Sequence, residues 1–356
     1  MLNKTYFIVP PVNNLNIKIL KGDRKKLLEK LGYDPILNIT KNKISNISYS
    51  KWSRLRKIFN DFEFPLDPKK ITKPISRAYF KLLELIGDHK LICDGGNSLH
   101  LAEAPGGFIE ATRYLKKKKG LGNDTTYYTF SVLGNDCIPT YNRNLIYDKN
   151  IVVLSNKKNN GDLYDLGNIK SLISSMKSKN ISFITCDGGF TENNDFSSKE
   201  QLHHHLIFNE IVTSLFILAE NGNLVVKIFD IFTELTFDYL YLLSFLFKQV
   251  YICKPNTSRP TNSEKYLVCK GYIKQKFTVK IQSLVRFLCE SGIDNYSSFV
   301  GKSHVKDSFV NCIKDINIYF SRYQVFNINS IIEMDNLNLK ITKCQENIDS
   351  WISKYY

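Results

Sequence analysis

Strands alternating with helices across the middle of the chain predict an α/β fold, a mainly parallel sheet covered by helices on both faces. Three observations lead there. Short apolar runs rich in β-branched and aromatic residues recur at 126–133, 150–155, 181–187 and 223–229. Segments with helical spacing of apolar residues separate them. Two last runs, QVYICK at 249–254 and KYLVCKG at 265–271, follow one another without a helix between, so they form an antiparallel hairpin at the sheet edge.

Taken in order, residues 1–70 mix short apolar patches with Asn, Pro and Lys, and the clearest element is KWSRLRKIFNDF at 51–62. Its Trp52, Leu55, Ile58 and Phe59 fall on one helical face. ISRAYFKLLELIG at 75–87 is a second amphipathic helix, with Gly87 as its terminator. NSLHLAEAPGG at 97–107 is a buried strand that breaks into a tight turn and a helix over 107–118. Lys116 to Lys119 close that helix as a solvated end, where cations complement the helix dipole. SLISSMKS (171–178), the stretch 199–222 and ELTFDYLYLLSFLF (234–247) supply further helices. Beyond 275 the pattern is helical over 283–292, 304–326 and 346–356. The expected organisation is an N-terminal extension (1–70), a core (71–275) and a helical C-terminal extension (276–356).

Lys and Arg outnumber Asp and Glu by 49 to 34, a net charge of +15 that favours a polyanionic partner such as nucleic acid. The eight cysteines are scattered with no CxxC pair, which reads as reduced thiols of an intracellular protein. No apolar run is long enough to span a bilayer, and the opening MLNKTYFIVPPVNN lacks the apolar stretch of a signal peptide. No membrane partner is expected, while cytoplasm, nucleus and a viral replication compartment all stay open.

In an open α/β sheet a ligand binds beyond the carboxyl ends of the strands, where strand order switches. LAEAPGGF at 101–108 leaves the first core strand at such an edge. Gly106 and Gly107 let the backbone approach a ligand, and Pro105 fixes the turn. The spacing is not the GxGxxG of dinucleotide sites. Four charged residues, Lys81, Asp187, Lys227 and Glu264, sit at the ends or starts of core elements. A lysine inside LVVKIF cannot be buried without a partner, and Asp187 at the end of FITCD has the same character.

SRAYFKLLEL (76–85), HLAEAPGGFIEA (100–111), ITCDGGF (184–190), LVVKIF (224–229) and SRPTNSEKYLVCKG (258–271) together resemble the FtsJ-type ribose 2'-O-methyltransferases over roughly residues 70–275. The glutamate of AEAPGGF and the 258–271 run are more similar to the mRNA cap methyltransferases of eukaryotes and large DNA viruses than to the ribosomal RNA enzymes. The resemblance implies a Rossmann-like methyltransferase fold, S-adenosylmethionine as methyl donor, and Lys81, Asp187, Lys227 and Glu264 as a catalytic tetrad. It implies donor contacts from Gly106 and Phe108, with Ala104, Pro105 and Gly107 in the same loop, and from Ser76 by analogy with the cap enzymes. Asp162 stands where the family accepts the adenine amino group, or is an ordinary turn aspartate. The acidic ribose ligand that often follows the second strand is missing here, leaving Asn135 or Asp136 as substitutes. The implied partner is the capped mRNA 5' end, with other capping enzymes or an RNA polymerase as further candidates. Alternative functions are ribosomal or transfer RNA ribose methylation and a non-catalytic RNA-binding capping subunit.

His203, His204 and His205 point around a helix axis and not at one ion, so no metal site is expected. Cys186 faces away from Asp187 by strand alternation and reads as a core thiol. Arg259 and Lys254 are candidates for phosphate contacts near the substrate entrance, or for a solvated loop. The 20 tyrosines and 23 phenylalanines offer too many choices to single out a cap pocket.

Overall fold

The structure, a computed structural model, describes residues 5–63, 65, 73–92, 95–122, 124–132, 140–156, 160–189, 198–337 and 344–356. Strands β1 (Tyr6–Val9) and β2 (Ile17–Leu20) come first, followed by helices α1 (Pro35–Asn42) and α2 (Tyr49–Ile58). The central region runs α3 (Ala78–His89), β3 (Asn97–Leu101), α4 (Gly107–Lys118), β4 (Tyr127–Phe130), α5 (Arg143–Ile146), β5 (Ile151–Val153) and α6 (Leu166–Met176). It continues with β6 (Ile181–Cys186), α7 (Lys199–Ile217), β7 (Leu218–Ile228), α8 (Glu234–Leu246), β8 (Phe247–Cys253) and β9 (Lys265–Tyr272). Then follow α9 (Val279–Ser291), β10 (Ser298–Val300), α10 (Asp307–Asn336) and α11 (Gln345–Tyr355).

Among the described residues the main sheet has eight strands in the order β1-β8-β9-β7-β6-β3-β4-β5. Strands β5, β4, β3, β6 and β7 are parallel, and β9, β8 and β1 are joined antiparallel. This is the expected mainly parallel, Rossmann-like sheet, with its switch point between β3 and β6. The hairpin β8–β9 is not the edge, however, because β1 pairs with β8 and covers it. β10 pairs with β2, so the two ends of the chain meet.

Strand alternation sorts the core. On one face Phe183, Val225, Tyr266 and Val268 pack with Tyr79 and Phe80 of α3, Phe108 of α4 and Trp351 of α11. On the other face Ile184, Val226 and Leu267 pack with α7 and α8. Gly87 does not end α3. The helix runs on to His89 and stops at Lys90, which takes a left-handed conformation with φ 52°. The lysines closing α4 are not simply solvated: Lys116 is wholly buried and donates to the Gly96 carbonyl, Lys119 donates to Ile92 O at 2.7 Å, and Lys118 reaches Tyr356 O. Their long side chains satisfy carbonyls of the neighbouring loop and the chain end, a use the helix dipole does not predict.

Candidate active site

The carboxyl ends of β6 and β7 and the start of β9 bring the four charged residues together. Asp187 directly follows β6, Lys227 is next to last in β7, and Glu264 directly precedes β9, while Lys81 projects from α3. Lys81 Nζ lies 2.7 Å from Glu264 Oε1. Lys227 Nζ lies 3.2 Å from Asp187 Oδ1 and donates to the Asp187 carbonyl at 2.7 Å. Between the pairs stands Tyr266, directly across from Lys227 in the β7–β9 register. Its hydroxyl donates to Asp187 Oδ1 at 3.2 Å and accepts from Lys81 at 3.4 Å. Sequence reasoning passed over Tyr266, although residues two apart in a strand share a face, so Glu264 at the strand entrance points to it.

The electrostatics follow from these partners. Burial alone would lower the Lys227 pKa, but the Asp187 and Glu264 carboxylates outweigh it and raise the pKa above the usual lysine value. Burial alone would raise Glu264, yet Lys81 and Lys227 hold it below the usual carboxylate range. Burial, then Asp187 and Glu264, push Tyr266 well up, so it stays a phenol and a donor. Behind Asp187 lies a residue that sequence reasoning missed, Glu210 of α7. Its carboxyl is pushed up to about 8 by burial and accepts from Gly188 N at 3.0 Å. A carboxylate deep inside the apolar stretch of that helix is the signal for it.

The glycine turn borders this cluster. Ala102 N donates to Phe130 O at 2.8 Å and Asp187 N to Leu101 O at 3.3 Å, so the ends of β3, β4 and β6 are tied together. The Ala104–Pro105 bond is cis, and Gly106 has φ 113°. A Cβ on Gly106 would come 2.2 Å from Leu145 Cδ2, and one on Gly107 would come 2.2 Å from Ser76 Oγ. Ser76 Oγ is buried and has no hydrogen-bond partner among the described residues. The Phe108 ring packs inward with its centroid 5.9 Å from that of Tyr266, so any ligand contact from Phe108 falls to its backbone. Ser131 Oγ accepts from Glu103 N at 2.7 Å and Ala104 N at 3.3 Å, which fixes the turn.

Asp162 sits in a turn in which its Oδ1 accepts from Tyr164 N at 2.8 Å. It follows Gly161, which packs against Ser131 O and so lies next to the glycine turn. Asn135 and Asp136 lie outside the described residues. The three adjacent histidines go to three partners: His203 Nδ1 to Lys199 O, His204 Nε2 to Thr233 Oγ1, and His205 Nδ1 to Asp294. Cys186 is fully buried against Ser214. Arg259 is not a free phosphate contact, since Nε and an NH2 group grip the two Glu63 oxygens at 3.1 and 2.5 Å. Lys254 is buried, neither a phosphate contact nor part of a solvated loop. No described helix is long and apolar enough to cross a membrane.

A family model for FtsJ-like methyltransferases matches residues 74–272. The zebrafish protein named cap-specific mRNA (nucleoside-2'-O-)-methyltransferase 2 is 29% identical over 86% of this chain and 42% of its own length. A Drosophila melanogaster cap-specific mRNA (nucleoside-2'-O-)-methyltransferase 1 is 30% identical over 69% of this chain and 32% of its own. A protein of African swine fever virus named a probable methyltransferase is 27% identical over 59% of this chain and 52% of its own. The chain thus spans only about half or less of these relatives.

Proposed function

The chain belongs to the FtsJ-like methyltransferase family, and on that premise we propose that it transfers a methyl group from S-adenosylmethionine to a ribose 2'-hydroxyl in the 5' cap region of mRNA, at the first or second transcribed nucleotide. The observation that carries this reading is the meeting of two ion pairs, Lys81–Glu264 and Lys227–Asp187, at the strand ends beside the glycine turn.

The turn suits the donor. Gly106 and Gly107 sit where a Cβ does not fit, and the buried Ser76 Oγ has no partner among the described residues. The backbone from Ala104 to Phe108, Ser76 and Asp162 would hold it. When bound, S-adenosylmethionine supplies a methyl group on a positively charged sulfur. The protein's work is then alignment and handling of one proton, and well-oriented intramolecular reactions set an upper scale of about 7–11 kcal/mol for alignment.

Lys227 steers the ribose hydroxyl. With its pKa raised by Asp187 and Glu264, it is an ammonium in this state and works by donating to the oxygen. A further cation brought alongside lowers a lysine pKa, and only then can Lys227 accept the hydroxyl proton. Lys81 stabilises negative charge developing on the oxygen. Asp187 and Glu264 orient the two lysines through charge-assisted bonds, and the Tyr266 hydroxyl links the pairs.

Methyl transfer from labelled donor to capped and uncapped RNA of matched sequence tests the substrate. Preference for the capped RNA is expected. Equal transfer to internal ribosomal or transfer RNA sites favours that alternative, and donor binding with no turnover on any RNA favours a non-catalytic capping subunit.

A further inference from the structure

We propose that Lys254 is a positioning residue for Glu264: its ammonium pins residues 262–264 and thereby aims the Glu264 carboxylate at Lys81. The inference rests on the assignment of the Lys81–Glu264 pair to methyl transfer.

Lys254 directly follows β8, and its backbone N donates to Thr5 O at 2.7 Å, anchoring it beside β1. Its side chain, 3% exposed, turns under the loop that leads to β9. There Nζ donates to Asn262 O at 2.8 Å, Asn262 Oδ1 at 2.8 Å and Glu264 O at 2.9 Å. An ammonium has three N–H groups, and this one has three oxygen acceptors. Nothing remains to offer a phosphate, which is why the loop lysine suggested by the sequence as a substrate contact has a different task.

The three acceptors bracket Ser263 and belong to the two residues that decide where Glu264 points. The other half of the loop is held separately: Glu84 of α3 accepts from Asn256 N at 2.6 Å and from Thr257 N at 3.2 Å. Within the loop, Ser258 Oγ donates to Glu264 Oε1 at 2.9 Å, the same oxygen that takes Lys81 at 2.7 Å. The carboxylate is thus aimed by Lys81 and Ser258, while its main chain is held by Lys254. Burial, with Lys265 and Lys81 adding to it, lowers the Lys254 pKa to about 7 against the pull of Glu264 and Asp230, and all three bonds are made in the protonated form. A cation among other buried cations is kept for what it bonds, since burial without partners is costly.

The test is a double-mutant cycle on the full chain, with Lys254→Met made in the wild type and in a Glu264→Gln background. Single-turnover methyl transfer on the RNA the wild type methylates best is read alongside donor Kd. Lys254→Met should lower the transfer rate about tenfold or more while donor Kd stays within about twofold, and should cost less than about twofold in the Glu264→Gln background. An equal fold-loss in both backgrounds would mean a merely structural lysine and overturn the proposal, as would no loss at all. If Lys254→Met fails to bind donor, Asn262→Ala, which removes one of the three acceptors, should show a smaller loss with the same dependence on Glu264. Independence from Glu264 there overturns the proposal too. A Glu264→Gln variant with full transfer would instead defeat the role of Glu264 itself, and this inference with it.

Discussion

Asp230→Asn strands two buried ammonium groups. Asp230 lies three residues beyond Lys227, and its carboxylate takes Lys41 of α1 at 3.0 Å on one oxygen and Lys265 of β9 at 2.8 Å on the other. The lysines are 2% and 3% exposed. Burial alone would raise the Asp230 pKa, but Lys265 and Lys41 outweigh it and hold it well below the usual carboxylate range. The folded-state value lies below the unfolded one, so this carboxylate contributes stability that is present above about pH 4 and lost as pH falls toward the folded value. Removing the one anion of such a buried group costs about 3–5 kcal/mol. With a urea slope of about 3 kcal/mol per molar, the unfolding midpoint at pH 7 should drop by about 1–1.7 M. The buried Trp52 and Trp351 report unfolding by fluorescence. Lys41→Met, which leaves one cation with one anion, should cost less. A shift for Asp230→Asn below about 0.3 M, or a gap from wild type that stays constant between pH 7 and pH 3, would refute the ionic account of how α1 is fastened to the core.

Two further changes probe the donor turn and the C-terminal helix. Gly107→Ala puts a Cβ 2.2 Å from Ser76 Oγ and 3.0 Å from Tyr79 N; overpacking of about 1–3 kcal/mol should weaken donor binding by calorimetry about 5–150-fold, and unchanged binding contradicts the fit. Trp351→Phe removes the Nε1 donor that reaches Glu84 Oε2 at 3.1 Å. That loss should cost about 1.5–3 kcal/mol in urea unfolding, and an unchanged midpoint means α11 is not anchored there.

What the sequence reveals and what it hides have physical reasons. Lys227 is legible because a lysine in LVVKIF must find a counter-charge, and Asp187 ends the adjacent strand where that charge is needed. The glycine turn is legible because its backbone demands glycine at Gly106. β1 is not: YFIV has only four residues, and its partner β8 lies far along the chain, with no local signal linking them. α10 continues ten residues beyond the expected end at 326, because Asn327 donates one turn back to Tyr323 O instead of facing water, and Ile328 and Ile331 beyond it pack against α2. Lys254 looks like a solvated loop cation until the loop folds back and supplies three acceptors. Glu63 and Arg259 are similarly silent, because their pairing joins segments that no periodicity connects.

The most direct measurement is mass-spectrometric mapping of methylated riboses on capped transcripts incubated with S-adenosylmethionine and either wild type or Lys227→Ala. The expected result is a 2'-O-methyl group at the first or second transcribed nucleotide with wild type, and none with the variant although it still binds the donor. Methylation confined to internal riboses, or undiminished in Lys227→Ala, would contradict it.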